Sequence, residues 1–223
     1  TAVVRLEVSE YRNAPSYKIL AINPARLPED ELKQLVKLPP EDPDKLVNDI
    51  IMLIKQSSGR DYDLTTQTVP ADDYTLTGLA VRLITENIKM FTKSSAAKTM
   101  HHNIYGGLAY HTYRMIKSAY AICEVYSLLN RELLVCGTAL HDIGKLLEMK
   151  TSDTGIATYT DMGNLFGHPL LGIEMIDREV WKQNQAAGGR SYNSEQVAML
   201  KHMLASHHGQ PEWGAIRAPS TPE

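Results

Sequence analysis

The chain has 223 residues, 43% of them hydrophobic and 22% charged, enough for one well-buried core of an ordinary globular protein. Its formal charge of −3, from 23 basic and 26 acidic side chains, argues against a broad polyanion-binding face. No apolar run nears the roughly 20 residues that cross a bilayer, the N-terminus lacks a signal-peptide layout, and Cys123 and Cys136 make no disulfide framework, so a cytoplasmic, non-membrane chain is expected.

In chain order, Val4, Leu6 and Val8 alternate with Arg5 and Glu7. Asn13-Ala14-Pro15 then turns the chain and Tyr17-Lys18-Ile19-Leu20 resumes the extended pattern, which predicts a hairpin over residues 1–22. A lone hairpin is marginal in water, so it should pack on something or belong to a larger sheet. Residues 24–28 break it. Residues 29–38 and 43–56 read as short helices separated by Pro39-Pro40, the second with Leu46, Ile50, Leu53 and Ile54 on one face, and 57–70 reads as a loop. Asp72 or Asp73 should cap a helix striped by Leu76, Leu79, Ala80, Leu83, Ile84, Ile88 and Phe91.

A small-residue, partly basic stretch, 93–103, ends in His101-His102. Gly106-Gly107 opens a long helix with Leu108, His111, Met115, Ala119 and Ile122 expected inward. The apolar run 133–140 predicts a buried helix that ends at His141-Asp142, with Gly144 expected in the left-handed conformation that stops a helix. Asp153-Thr154-Gly155 suggests a hairpin turn between 147–149 and 156–159. Residues 166–187 read as helical after Pro169 and end at Gly188-Gly189. Asn193 with Gln196 resembles a capping box for a last helix that runs to His208. The tail 209–223, with three prolines and two glycines, shows no regular pattern. The fold class expected is all-α, with a short N-terminal β-hairpin.

The histidines carry the chemistry. His111 follows Leu108 by three residues, His141 follows Gly137 by four, and His207 and His208 follow Leu204 by three and four, so all share inward faces. His168 precedes Pro169, where the chain leaves helical geometry and a side chain can point back over a helix start. Any one alone reads as a satisfied core histidine. Several buried imidazoles without partners are costly, and a shared metal satisfies them together. Asp142 supplies the anionic charge such a site needs and could bridge two ions. Lys145, next to it, can offer a positive charge to an anionic substrate. His101 and His102 read equally as a substrate entrance or as surface residues, and His202 lies off the inward stripe. Lys93, Lys98, Arg114 and Lys117 surround the glycine pair as candidate nucleic-acid contacts.

Taken together, His111, His141-Asp142-Ile143-Gly144-Lys145, Gly167-His168 and Ser206-His207-His208-Gly209 resemble the HD superfamily of metal-dependent phosphohydrolases. Ala96-Ala97-Lys98 through His101-His102, Gly106-Gly107-Leu108, Tyr110-His111-Thr112 and Gly163-Asn164-Leu165 resemble one branch, the bacterial YhaM-type 3′-5′ exoribonucleases, over about residues 70–223. The resemblance implies an HD-domain helical bundle at 72–209, after a hairpin at 1–27 and a helical linker region at 28–71, with an irregular tail at 210–223. It implies two divalent ions (Mn, Mg, Fe or Zn). His111, His141 and Asp142 would hold one, and His168 with one or both of His207 and His208 the second, Asp142 bridging. Asp142 and Lys145 would be catalytic, and Lys98, His101 and His102 would meet the substrate.

In that family an OB-fold precedes the HD domain, and residues 1–22 look like its last hairpin. The rest of that OB module and the family's final ligating Asp, expected beyond Glu223, are missing, which suggests a fragment with its first site one ligand short. The implied activity is 3′-5′ hydrolysis of single-stranded RNA, with DNA as the other polymer. The alternatives are a nucleotide or cyclic-nucleotide phosphohydrolase of the same superfamily and a non-catalytic metal-binding regulatory module. Lys145 and the full histidine set argue against the last.

Overall fold

The computed structural model describes residues 2–24, 28, 31, 36–98, 104–186 and 188–223, which form two compact units, Thr1–Val36 and Lys37–Glu223. In the first unit, strand β1 (Ala2–Tyr11) pairs antiparallel with β2 (Ala14–Pro24), Val8 opposite Tyr17 and Glu10 opposite Pro15. The turn lies one residue earlier than the Asn13-Ala14-Pro15 expectation. Arg12 and Asn13, at φ 51° and 59°, form its corners, as a two-residue turn matched to strand twist requires. Pro24, expected beyond the hairpin, is the last residue of β2, opposite Ala2. Most of the expected 29–38 helix lies outside the described residues, and Leu38 is not helical.

The second unit is helical. In order come α1 (Pro43–Ser57), α2 (Leu76–Glu86), α3 (Ile88–Lys93), α4 (Gly107–Val125), α5 (Arg131–Leu140) and the one-turn α6 (Lys145–Glu148). A short hairpin follows, β3 (Met149–Thr151) with β4 (Ala157–Tyr159), then α7 (Asp161–Ala186) and α8 (Ser194–Ser206). One apolar core joins Leu46 and Ile50 of α1, Leu79 of α2, Leu108 and Ile116 of α4, Leu140 of α5, Ile176 of α7 and Leu200 of α8. Residues 43–57 are therefore part of the helical body and not of a linker. Asp42 caps α1 by accepting from the amides of Asp44 and Lys45, and buried Val47 and Ile51 widen the face beyond the expected stripe. The loop that follows is pinned from inside, where the buried Lys55 ammonium donates to the carbonyls of Asp63 and Thr66 at 2.7 and 2.8 Å. Among the described residues no helix is long and apolar enough to cross a membrane.

Several elements depart from the sequence pattern, each for a local reason. Thr75, not Asp72 or Asp73, caps α2, accepting from Gly78 N, while Asp73 accepts from Thr75 N one step earlier. The expected single helix over 76–91 is two, because Asn87 leaves helical geometry and its side chain donates to Leu83 O at 2.8 Å. On α4 the core row is Leu108, Thr112, Ile116, Ala119 and Cys123, whereas Met115 and Ile122 are 42% and 44% exposed. His111, Met115 and Ile122 form the neighbouring row, at the edge of the core. The 147–149 arm of the expected β3–β4 hairpin is shorter, since Leu147 and Glu148 close α6. The last helix begins at Asn193's cap as expected but ends at Ser206, with His207 at its C-cap.

Gly144 is the sharpest correction. Its φ of −63° is right-handed, so it does not end a helix by the left-handed route. A Cβ there would lie 2.0 Å from His168 O and 2.5 Å from Gly172 N. The residue is glycine because the turn after α5 presses against the backbone of α7. Gly167 does need its left-handed φ of 68°. It kinks α7, which starts at Asp161 and not after Pro169, and the kink aims His168 back at that same turn.

Candidate metal centre

Three helix ends and one kink bring the side chains together. His111 comes from the first turns of α4, His141 and Asp142 from the C-terminal end of α5, His168 from the kink of α7, and His207 and His208 from the end of α8. Two groups result, His111 with His141 and Asp142, and His168 with His207 and His208, the ligand atoms within each group lying within 4.8 Å of one another. Asp142, 3% exposed, sits between them. Its Oδ2 lies 3.2 Å from His141 Nε2 and 3.6 Å from His111 Nε2. Its Oδ1 lies 3.2 Å from His168 Nε2 and 3.8 Å from His207 Nε2.

The outer ring nitrogens fix which atoms face inward. His141 Nδ1 is 2.7 Å from Thr138 O, and His207 Nδ1 is 2.8 Å from Leu204 O; a carbonyl can only accept, so each Nδ1 carries the proton. His168 Nδ1 is 3.0 Å from Glu148 Oε1, which also accepts from His168 N at 3.0 Å. The Nε2 atoms face one another, 3.2 Å apart for His111 and His141, and 3.3 and 3.1 Å for His168 with His207 and with His208. Lone pairs at that separation repel unless a cation lies among them. The donor set fits divalent metal, with outer hydrogen bonds orienting His141, His168 and His207 as metal-bound histidines require.

Burial works to lower His168, but the Asp142 and Glu148 carboxylates on either side outweigh it and raise it. Burial works to raise the Asp142 carboxyl, but His141, His168 and Lys145 outweigh it and hold it well below the usual carboxylate range. Burial and the neighbouring His141 push His207 down to about 4, and burial with His168 lowers His208, so both keep free lone pairs at neutral pH. Glu148 is lowered overall because its bonds to His168 outweigh its burial.

Glu148 was absent from the sequence reading. Its signal was a lone acid inside the apolar Leu146-Leu147-Glu148-Met149, which a helical turn buries and which therefore needs a partner. Glu148→Gln should weaken metal at the His168 side by about ten- to a hundredfold and leave the His111 side nearly unchanged. Metal titration of the variant, read as loss of one binding phase, checks this.

Lys145 donates to Asp142 Oδ2 at 2.8 Å and to Ala96 O at 2.7 Å. The Lys98 ammonium lies 5.5 Å from the Tyr159 ring centre. His101 and His102 lie outside the described residues. His202 is turned away, accepting from Ser220 N and lying 3.0 Å from Ser220 Oγ. Cys123 and Cys136 are buried free thiols in the core. Beside the cluster runs a cleft of about 710 Å³, lined by His111, His141, Asp142, Lys145, His207 and His208, by the apolar Met115, Ile122, Leu134 and Met203, and by Ser118, Thr221 and Glu223.

A helical body that gathers five imidazoles around one buried carboxylate following His141 defines a class. Residues 108–222 match the HD domain, and the chain belongs to that family. Among curated relatives it is similar to proteins named 3′-5′ exoribonuclease YhaM. That of Bacillus licheniformis is 40% identical over 135 residues, covering 60% of this chain and 40% of that protein. That of Listeria welshimeri is 39% identical over 124 residues (56% and 37%), and that of Bacillus subtilis 38% over 141 residues (63% and 42%). The chain thus spans about two fifths of the length of these relatives. No solved structure matches.

Proposed function

We propose that this chain is a metal-dependent phosphodiesterase that shortens single-stranded RNA from its 3′ end. The observation that carries the reading is Asp142, whose two oxygens face the two histidine groups separately, the arrangement of a bridging carboxylate between paired ions. The 3′-5′ direction comes from the relatives' names and rests on the 38–40% identity.

His111, His141 and Asp142 would hold one divalent ion, and His168, His207 and His208 the other. When bound, such a pair supplies positive charge to the phosphoryl oxygens and lowers the pKa of a water between them. Imidazole-rich sets with one carboxylate suit Mn²⁺, Fe²⁺ or Zn²⁺ better than Mg²⁺. The reaction adds water across the P–O3′ bond: its hydroxyl goes to phosphorus and its proton to the O3′ of the shortened chain. Lys145 serves twice. Two of its three N–H groups hold Asp142 and Ala96, and the third can meet a phosphate oxygen in the cleft it lines. Lys145→Ala should therefore lower turnover by about a hundredfold and metal content by much less. Equal losses of both, measured on one preparation, would make Lys145 a structural tether only.

The testing experiment incubates the protein with Mn²⁺ and an oligoribonucleotide labelled at its 5′ end. Stepwise shortening of the labelled strand is the expected result, and a matching deoxyribonucleotide strand ranks RNA against DNA. A second reading, hydrolysis of free or cyclic nucleotides, is favoured by one feature: among the described residues lining the cleft, Lys145 is the single lysine or arginine. An intact strand beside hydrolysed nucleotide would establish that reading instead.

A further inference from the structure

The cleft beside the metal cluster is lined by polar and by apolar side chains, and only the polar ones have a part in the chemistry above. The apolar lining is built deliberately. Met203 of α8 lies across Gly137 of α5, where a Cβ would meet its Cε at 2.3 Å and its Sδ at 2.5 Å, so the glycine seats the thioether. Met115 stands half exposed on the edge row of α4, with Ile122 two turns on and Leu134 beside them. Pro219, Thr221, Pro222 and Glu223 of the tail also line the cleft. That tail is fastened by Ile216 N donating to Ala205 O at 2.8 Å and by Ser220 N donating to His202 Nε2 at 3.0 Å.

A polynucleotide carries a charge at every phosphate, and away from the candidate metal ligands the cleft offers Lys145 alone as a cation and Glu223 as an anion, which suits one phosphate beside the cluster and not a run of them. What the apolar lining does match is a flat, apolar-faced ring attached to that phosphate. Thioethers suit such a ring because they are flexible and polarisable, and make favourable contacts with π systems. No arginine, asparagine or glutamine, the side chains that read base edges in pairs, lines the cleft among the described residues. We propose that this lining is a base subsite. Met115 and Met203 hold the base of the 3′-terminal nucleotide, whichever base it is, while that nucleotide's 5′-phosphate lies at Asp142 and Lys145. This deepens the exonuclease reading and rests on it: the pocket binds the nucleotide about to leave, and the rest of the strand stays outside.

The test compares two oligoribonucleotides that differ only in the last nucleotide, one normal and one abasic. It uses the Mn²⁺-loaded wild type, Met115→Ala and Met203→Ala. For the wild type the abasic end should raise KM by about tenfold or more, and adenine against uracil at that end should matter far less. The penalty should shrink in both variants. Met115 is exposed enough that its variant keeps the fold, and circular dichroism checks Met203→Ala. A second arm needs no turnover. Calorimetry with the Mn²⁺-loaded protein should find adenosine 5′-monophosphate binding about tenfold tighter than ribose 5-phosphate, with the preference reduced in Met115→Ala. Equal binding of the two, or equal KM for the two strands, overturns the subsite. If neither strand is shortened, the exonuclease reading fails, while the calorimetric preference still decides the pocket.

Discussion

Asp142→Ala should abolish hydrolysis, by about a thousandfold or more, and empty both metal positions while the helices remain. The carboxylate is the only anion among the candidate ligands, and it faces both groups at once, with His141 and His168 each 3.2 Å from one of its oxygens. Without it, the imidazoles would have to bind two cations with no negative charge between them, and Lys145 would lose its 2.8 Å partner. Removing one member of a buried charge pair costs about 3 kcal/mol. For a chain of this size that corresponds to a melting temperature lower by about 10 °C. Far-UV circular dichroism at room temperature should therefore match the wild type while metal analysis and turnover both collapse. Substantial activity in a variant with a normal spectrum would sink the metal assignment.

Gly144→Ala is expected to do comparable damage without touching any candidate ligand. The added methyl would lie 2.0 Å from His168 O, so either the turn carrying Asp142 or the kink carrying His168 must move. Overpacking of this kind costs about 3 kcal/mol, and the displacement separates the two halves of the site. The variant should melt earlier and bind metal weakly at the shared position. Gly144→Asn separates this explanation from a conformational one. Asparagine tolerates left-handed geometry and would rescue a glycine kept for that reason, but against a neighbouring backbone it should do worse than alanine. Thermal melts of the two variants, compared side by side, give the ranking.

How much of this could be read from the sequence differs by level. The spacing of the six side chains His111, His141, Asp142, His168, His207 and His208 is legible in the sequence alone, and the structure brings them together. Helical spacing and helix ends are local properties, and α4 and α8 begin close to where Gly106-Gly107 and Asn193 place them. What local pattern does not encode is which of two adjacent rows meets the core. On α4 the Leu108–Thr112–Ile116 row is buried and the His111–Met115–Ile122 row is at its edge, a difference set by where α1 and α5 pack. Gly144 shows the same limit. A glycine after a helix suggests a left-handed cap from sequence, whereas its real reason is a chain segment more than twenty residues away. Glu148 escaped notice because its role depends on the kink at Gly167, and only that kink brings the His168 ring to the carboxylate.

Electron paramagnetic resonance of the protein titrated with Mn²⁺ addresses the shared carboxylate directly. Two ions sharing Asp142 would interact magnetically, so the hyperfine pattern of isolated Mn²⁺ should give way to a coupled-pair spectrum as the second equivalent binds, and should not do so in Asp142→Ala. A spectrum that keeps the isolated-ion pattern at every loading, or saturates at a single ion per chain, would contradict a bridged pair between the two histidine groups.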